Sequence, residues 1–306
     1  MSIVVIGAVF VDIKGYPYAT YLPGGRNQGR IETTHGGVSR NIAEDVANLH
    51  LPVTFLSLTD DSALGKEVIE KLYERHVNTN YIRKTPDGMG TWLAVFDHNG
   101  DVVASISKRP DLRPLLYVLR ENGDRIFSNA SSILLEIDLD REISEEIFRY
   151  AALYHVPVYA AVSNMSIALD RRDLIKSTEC FVCNVSEAGI LFSENYEGKT
   201  PEEMQAILED RITKARIRRM VVTMGADGAV YAECGGESGI VPGIRTVVRD
   251  TTGAGDAFFA GTAVGLTYHK TLKEACEIGT RLASAVIESQ ESVCPVFLPE
   301  ELGLSL

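Results

Sequence analysis

An aspartate stands at the end of a glycine loop in the stretch Asp250-Thr251-Thr252-Gly253-Ala254-Gly255-Asp256-Ala257-Phe258. An apolar strand end at Val247 and Val248 is expected to run into this loop, and a helical run of small and apolar residues to leave it. A helix start carries unpaired backbone N–H groups and a partial positive charge, so it holds anions. Gly253 and Gly255 let the main chain approach a bound group closely. Asp256 at that positive end is expected to stay ionised and to accept a proton from a substrate hydroxyl. The amides of Gly253, Ala254 and Gly255 would hold the charge of a transferred group. An anion hole beside a carboxylate base is what phosphoryl transfer to an alcohol requires. The alternative is an acid that only satisfies backbone donors.

A second pair, Asn184 and Glu187, has the spacing N-x-x-E, which brings both side chains to one side of a helix start. A carboxylate there can organise Mg²⁺ through its water shell, or simply close a capping box.

The glycine loop resembles the C-terminal signature of the PfkB, or ribokinase-like, carbohydrate and nucleoside kinases. Three further pieces resemble that family in the same order: Val5-Ile6-Gly7 to Asp12, His35-Gly36-Gly37-Val38-Ser39-Arg40-Asn41, and Asn184-Val185-Ser186-Glu187. The likeness spans nearly the whole chain. It implies Asp256 as catalytic base with Gly253, Ala254 and Gly255 as its anion hole. It implies Asp12, Gly36, Gly37 and Asn41 as a sugar site, where carboxylate and amide supply the acceptors and donors a polyol needs. ATP would meet Asn184, Thr223, Gly225, Gly228, Asp250 and Thr251, and Mg²⁺ would lie near Glu187 and Asn184. Asp250 and Thr251 could also bind a monovalent cation such as K⁺, or merely brace the loop. Phe10 stands where the family often has Asn, so one polar sugar contact is replaced by an apolar one.

These residues need a scaffold. Ser2 to Ala8 reads as a buried parallel strand with Asp12 at its exit, where ligands bind in open α/β sheets. From about residue 111 helices and strands alternate, which gives a mostly parallel sheet covered on both faces. Residues 14–34 and 89–109 break that pattern as paired extended arms, the second with an Asn99-Gly100 turn. The resemblance makes them a small β-sheet lid and a homodimer interface. The expected class is therefore α/β, ribokinase-like. Its large kinase domain would comprise 1–13, 35–88 and 110–306, and its lid 14–34 and 89–109. Trp92 and Phe96 would fill the lid's packed face or stack on a ligand. Lys108 and Arg109, at the end of the lid, could keep an edge soluble or meet a phosphate already on a substrate.

The chain has 306 residues, 45% hydrophobic and 24% charged, with a net charge of −12. That balance fits a globular enzyme and argues against a nucleic-acid surface. No apolar run approaches a membrane span, and the opening Met1-Ser2-Ile3-Val4 carries no signal-like leader, so a cytoplasmic protein is expected. The five cysteines are scattered, and the Cys180-Cys183 pair reads as reduced thiols in a buried strand.

Pro23 to Ala43, and Glu237-Ser238-Gly239 leading to the glycine loop, lean toward the pseudouridine kinase branch. Against it, that branch has a lysine in a loop where this chain reads Ser163-Asn164-Met165-Ser166. The other readings are a ribokinase or other sugar kinase, a phosphosugar kinase resting on Lys108 and Arg109, and a non-catalytic sugar or nucleoside sensor on the same fold.

Overall fold

The computed structural model describes residues 2–97 and 102–304. Among them, thirteen strands form two sheets. In chain order the strands are β1 (Ser2–Ile6), β2 (Phe10–Pro17), β3 (Gly29–Gly36), β4 (Val53–Thr59), β5 (Asn78–Lys84), β6 (Gly90–Phe96) and β7 (Val102–Lys108). Then come β8 (Ala130–Glu136), β9 (Val158–Ala161), β10 (Cys180–Asn184), β11 (Arg219–Thr223), β12 (Ala229–Glu233) and β13 (Ser238–Val241). The large sheet has the order β13-β12-β11-β10-β9-β8-β1-β4-β5. Its strands are parallel except β12, which runs antiparallel to both neighbours.

Both faces of this sheet are buried, because successive strand residues point to opposite sides. Ile3 and Val5 join one core with Ile42, Val46, Phe258 and Leu282. Val4 and Ile6 join the other with Leu115, Ile147, Leu191 and Leu208. Helices Val38–Asn48, Ala254–Thr267 and Leu272–Ile287 cover the first face; Leu115–Phe127, Arg141–Tyr154 and Pro201–Ala215 cover the second. The strand order steps outward in both directions from the β1–β8 pair, and the crevice at such a reversal is where ligands bind.

The small sheet has the order β3-β2-β6-β7. It starts at Phe10, so Asp12 is not a turn residue at the exit of β1 but a member of β2, paired with Thr34 and Trp92. The apolar run hides this break: Ile6 to Val11 is continuously apolar or small, while the chain leaves one sheet at Gly7 and enters the other three residues later. The Asn99-Gly100 turn lies outside the described residues. Within the second sheet, Tyr16 stacks on Phe96 at 5.0 Å, and Trp92 meets Phe96 edge-on at 6.3 Å.

One other expectation differs. Val247 and Val248 do not end a strand; they lie in irregular chain, 76% and 65% exposed. The residues before them supply β13 instead. Cys180 and Cys183 are buried free thiols in β10, as read from the sequence.

Candidate active site

The helix after the glycine loop begins at Ala254, with Gly253 as its cap at φ 81°. A Cβ on Gly253 would lie 1.9 Å from the Ser292 carbonyl oxygen, so both conformation and space demand glycine. A Cβ on Gly255 would meet no protein atom within 4 Å, so that glycine leaves open space at the helix tip. The Ala254 N–H is taken up by the Thr251 carbonyl at 3.2 Å, whereas among the described residues the Gly255 N–H has no such partner. Asp250 accepts the Thr252 N–H at 2.8 Å, a local brace that shapes the loop.

Asp256 lies in the first turn of this helix. Asn41, 215 positions away, donates its Nδ2 to Asp256 Oδ2 at 2.6 Å. The helix Val38–Asn48 makes this contact possible. Gly37 caps it at φ 102°, held against the Ala8 carbonyl, and Asn41 sits one turn in. Burial pushes the Asp256 carboxyl up to about 7, helped by the charges of Asp12 and Glu187 and opposed by Asn41 and Arg40. The helix tip therefore does not keep this acid simply ionised; desolvation outweighs it. A carboxyl titrating near neutral pH is suited to general-base work.

Asp12 comes in from the lid. Its carboxylate occupies the space left by Gly36, where an added Cβ would lie 2.3 Å from Asp12 Oδ2. Burial raises its carboxyl too, while Lys14 and Arg40 lower it.

Sequence reading passed over Arg40, although it was quoted within a motif. Its side chain is 2% exposed and pairs with the fully buried Glu44 at 2.7 Å. It also bonds the His35 carbonyl and reaches Ser292 Oγ at 3.4 Å. Ser292 Oγ in turn lies 3.4 Å from Asn41 Oδ1. The i,i+4 spacing of Arg40 and Glu44 was the available signal.

Glu136 was missed as well, masked inside an apolar strand. Buried at the end of β8, it accepts from Ala8 N at 3.2 Å, Ser39 Oγ at 2.9 Å and Ser163 Oγ at 2.8 Å. Burial and the neighbouring Asp138 push its carboxyl up to about 7. Asp138 accepts from Arg109 Nη1 at 2.8 Å, and Lys108 pairs with Asp87. Both lid cations are thus paired with acids in this structure.

On the other side, Asn184, Thr223 and Gly225 line one cleft of about 690 Å³ with Lys199 and Thr200. Gly228 does not line it; at φ 94° it makes the turn between β11 and β12. Asn184 and Glu187 form a complete capping box, each bonding the other's N–H at 2.8 Å. That is the capping alternative left open by the spacing. The box uses only one Glu187 oxygen, Oε2, for the Asn184 N–H. Burial and Asp138 raise the Glu187 carboxyl, and Glu187 in turn raises Asp256. Among the described residues no three acid, His or Cys side chains form a direct cage for a metal. The oxygen of Glu187 left outside the capping box, Oε1, suits a Mg²⁺ held through its waters.

The chain is similar to known kinases over nearly its whole length. The model of the pfkB family carbohydrate kinases matches residues 1–296. A guanosine-inosine kinase from Exiguobacterium acetylicum is 32% identical over 95% of this chain and 96% of its own length. A pseudouridine kinase from Escherichia coli K12 is 26% identical over 85% of this chain and 82% of its own. The ribokinase fold is shared with the Arabidopsis thaliana ribokinase structure, at a TM-score of 0.82 and 22% identity over 98% of each chain. An ordered set of motifs, a carboxylate at a glycine-capped helix tip and a match over nearly the full length lead to one identification: the chain belongs to the pfkB family of carbohydrate kinases and is a phosphotransferase acting on a sugar or nucleoside.

Proposed function

We propose that this kinase transfers the γ-phosphoryl group of ATP to the hydroxymethyl group of a purine ribonucleoside of the inosine or guanosine type. The contact between Asn41 and Asp256 at 2.6 Å carries the catalytic part of this reading. Asn41 fixes one carboxylate oxygen, and the other is left to take the proton of the attacking hydroxyl. The Gly255 N–H and the positive helix end meet the charge of the transferred phosphoryl. Asp12, Gly36, Gly37 and Asn41 would hold the ribose. Asn184, Thr223 and Gly225 would face the nucleotide, with Gly228, Asp250 and Thr251 shaping the backbone around it. Glu187, oriented by Asn184, would hold Mg²⁺ through water, and the ion would neutralise phosphate charge. A reaction that consumes ATP fits the cytoplasmic placement expected above.

The nucleoside is supported by the 32% identical guanosine-inosine kinase and by the aromatic cluster of Tyr16, Trp92 and Phe96 on the lid. Pseudouridine, the substrate first expected, is the second reading, supported by the 26% identical pseudouridine kinase. Ser163, in the loop that lacks that branch's lysine, is occupied by Glu136 and Asp138. ADP formation should be measured with inosine, guanosine, adenosine, pseudouridine, ribose and fructose. Turnover of inosine or guanosine at least ~10-fold more efficient than of ribose is expected, since a base adds binding contacts. Turnover of free sugars alone would overturn the nucleoside reading.

We also assign the outer lid face to a homodimer. Leu93 and Ile106 are neighbours on adjacent strands, and Ile31, Leu93 and Ile106 are 75%, 40% and 71% exposed. Sedimentation should give twice the 33.5 kDa chain mass, with Ile106→Lys reverting to one chain. A monomeric wild type would remove the assignment.

A further inference from the structure

Lys14 is a buried lid residue whose chemistry the reaction above leaves unused. It lies in β2, two residues beyond Asp12, and is only 7% exposed. Residues two apart in a strand point to the same face, so Lys14 shares the Asp12 side of the sheet. Consistent with that, the Lys14 charge acts on the Asp12 carboxyl. Across the sheet Lys14 stands opposite Ala94 on one side and Glu32 on the other. Glu32 is taken by Arg30 at 2.9 Å, and among the described residues Lys14 makes no ion pair and no hydrogen bond. A lysine this buried, with the Asp12 charge nearby but no direct hydrogen bond, has its ammonium donors unfilled. Such a group is retained where a ligand completes it.

The surroundings say what the ligand is. Ala94 is a small floor between Trp92 and Phe96 on the same face of β6, and Tyr16 stacks on Phe96. Ala94 is 1% exposed and Arg30 covers the Tyr16 ring, so the three rings close over the small residue as an aromatic patch beside Lys14, and a flat ring can stack on its half-buried Trp92 end. Asp12 to Lys14 spans about 6.6–6.8 Å along the strand, roughly the step from a sugar to the edge of its attached base. An ammonium is donor-only, so it seeks acceptors. A 6-oxopurine presents O6 and N7 side by side as acceptors, whereas adenine replaces O6 with an N6 amino donor.

We infer that Lys14 is a specificity residue that reads the O6/N7 edge of a 6-oxopurine base stacked on the aromatic patch at Trp92. This rests on the nucleoside reading proposed above. It predicts that inosine and guanosine are preferred to adenosine, and that Lys14 is the source of the preference.

The test compares kcat and KM for inosine, guanosine and adenosine in wild type and Lys14→Met. The variant should lose roughly 10- to 100-fold in kcat/KM for inosine and guanosine, mainly through KM, with adenosine nearly unchanged. Its melting temperature should not fall, because Met fills the space without a buried charge. Wild type should show a comparable loss with purine riboside, which lacks the 6-oxygen; this arm needs no variant to fold. An equal loss on all three nucleosides, or an undiminished preference in Lys14→Met, would overturn the assignment while leaving the nucleoside reading intact. Absence of wild-type turnover on every nucleoside would overturn the nucleoside reading itself and this inference with it.

Discussion

Replacing Asp256 with Asn is expected to lower kcat by about 10²- to 10⁴-fold, the range for losing a positioned general base. Nucleotide binding should stay largely intact, since the nucleotide cleft is lined by Asn184, Thr223 and Gly225. The same substitution is expected to stabilise the fold. Burial raises the Asp256 carboxyl to about 7 from an ordinary value of 3.8. Between those values the folded chain holds a proton that the unfolded chain has released. Stability from this group is therefore complete below about pH 4 and lost as pH rises through 7. Asn carries no charge to bury. Asp256→Asn should match wild type near pH 4 and exceed it by roughly 1–2 kcal/mol above pH 7, discounted because the site is partly open and the helix tip favours the anion. Thermal melts at the two pH values check this. A variant with near-wild-type rate would take Asp256 out of the chemistry, whatever its stability.

The second large effect concerns Arg40. Glu44 is fully buried, and Arg40 is its close partner at 2.7 Å; Arg75 and Lys71 approach only to 3.6 Å and 3.9 Å. Arg40→Met leaves that carboxylate only the more distant Arg75 and Lys71 and should cost up to about 3–5 kcal/mol. The double change Arg40→Met with Glu44→Gln should recover a good part of the loss, because it removes the under-compensated charge as well. Denaturant unfolding of the four proteins gives the coupling. Arg40 also lowers the carboxyls of Asp256 and Asp12, so activity in the double variant should set in at higher pH than in wild type. A double variant no more stable than Arg40→Met would show that the pair matters for something other than charge compensation.

The two cases mark what the sequence could convey. Asp256, Asn184 and Glu187 were legible because their geometry is local: a glycine-capped helix tip and a three-residue spacing set it whatever the rest of the chain does. The Asn41–Asp256 bond depends on two helices packing side by side, and no spacing in the chain encodes it. Arg40 and Glu136 were hidden for a related reason. A buried ion pair on a helix looks like a solvated one, and a carboxyl ending an apolar strand looks like a boundary residue. Asp12 was placed on the wrong element because Ile6 to Val11 offers no polar break between two sheets. Val247 and Val248 were read as strand on hydrophobicity alone, yet no strand neighbour pairs with them and they stay exposed. The paired arms of the lid were readable as strands, but not that Lys14 would be buried within them.

The pH dependence of kcat/KM for phosphorylation of inosine by wild type, followed from pH 5 to 9 with saturating ATP and Mg²⁺, bears most directly on the role of Asp256. The base must be ionised to accept the hydroxyl proton, so the rate should climb tenfold per pH unit on the acid side and level off above about 7. A rate constant that is flat across pH 5 to 9 would contradict a buried carboxyl at the helix tip as the group that takes the proton.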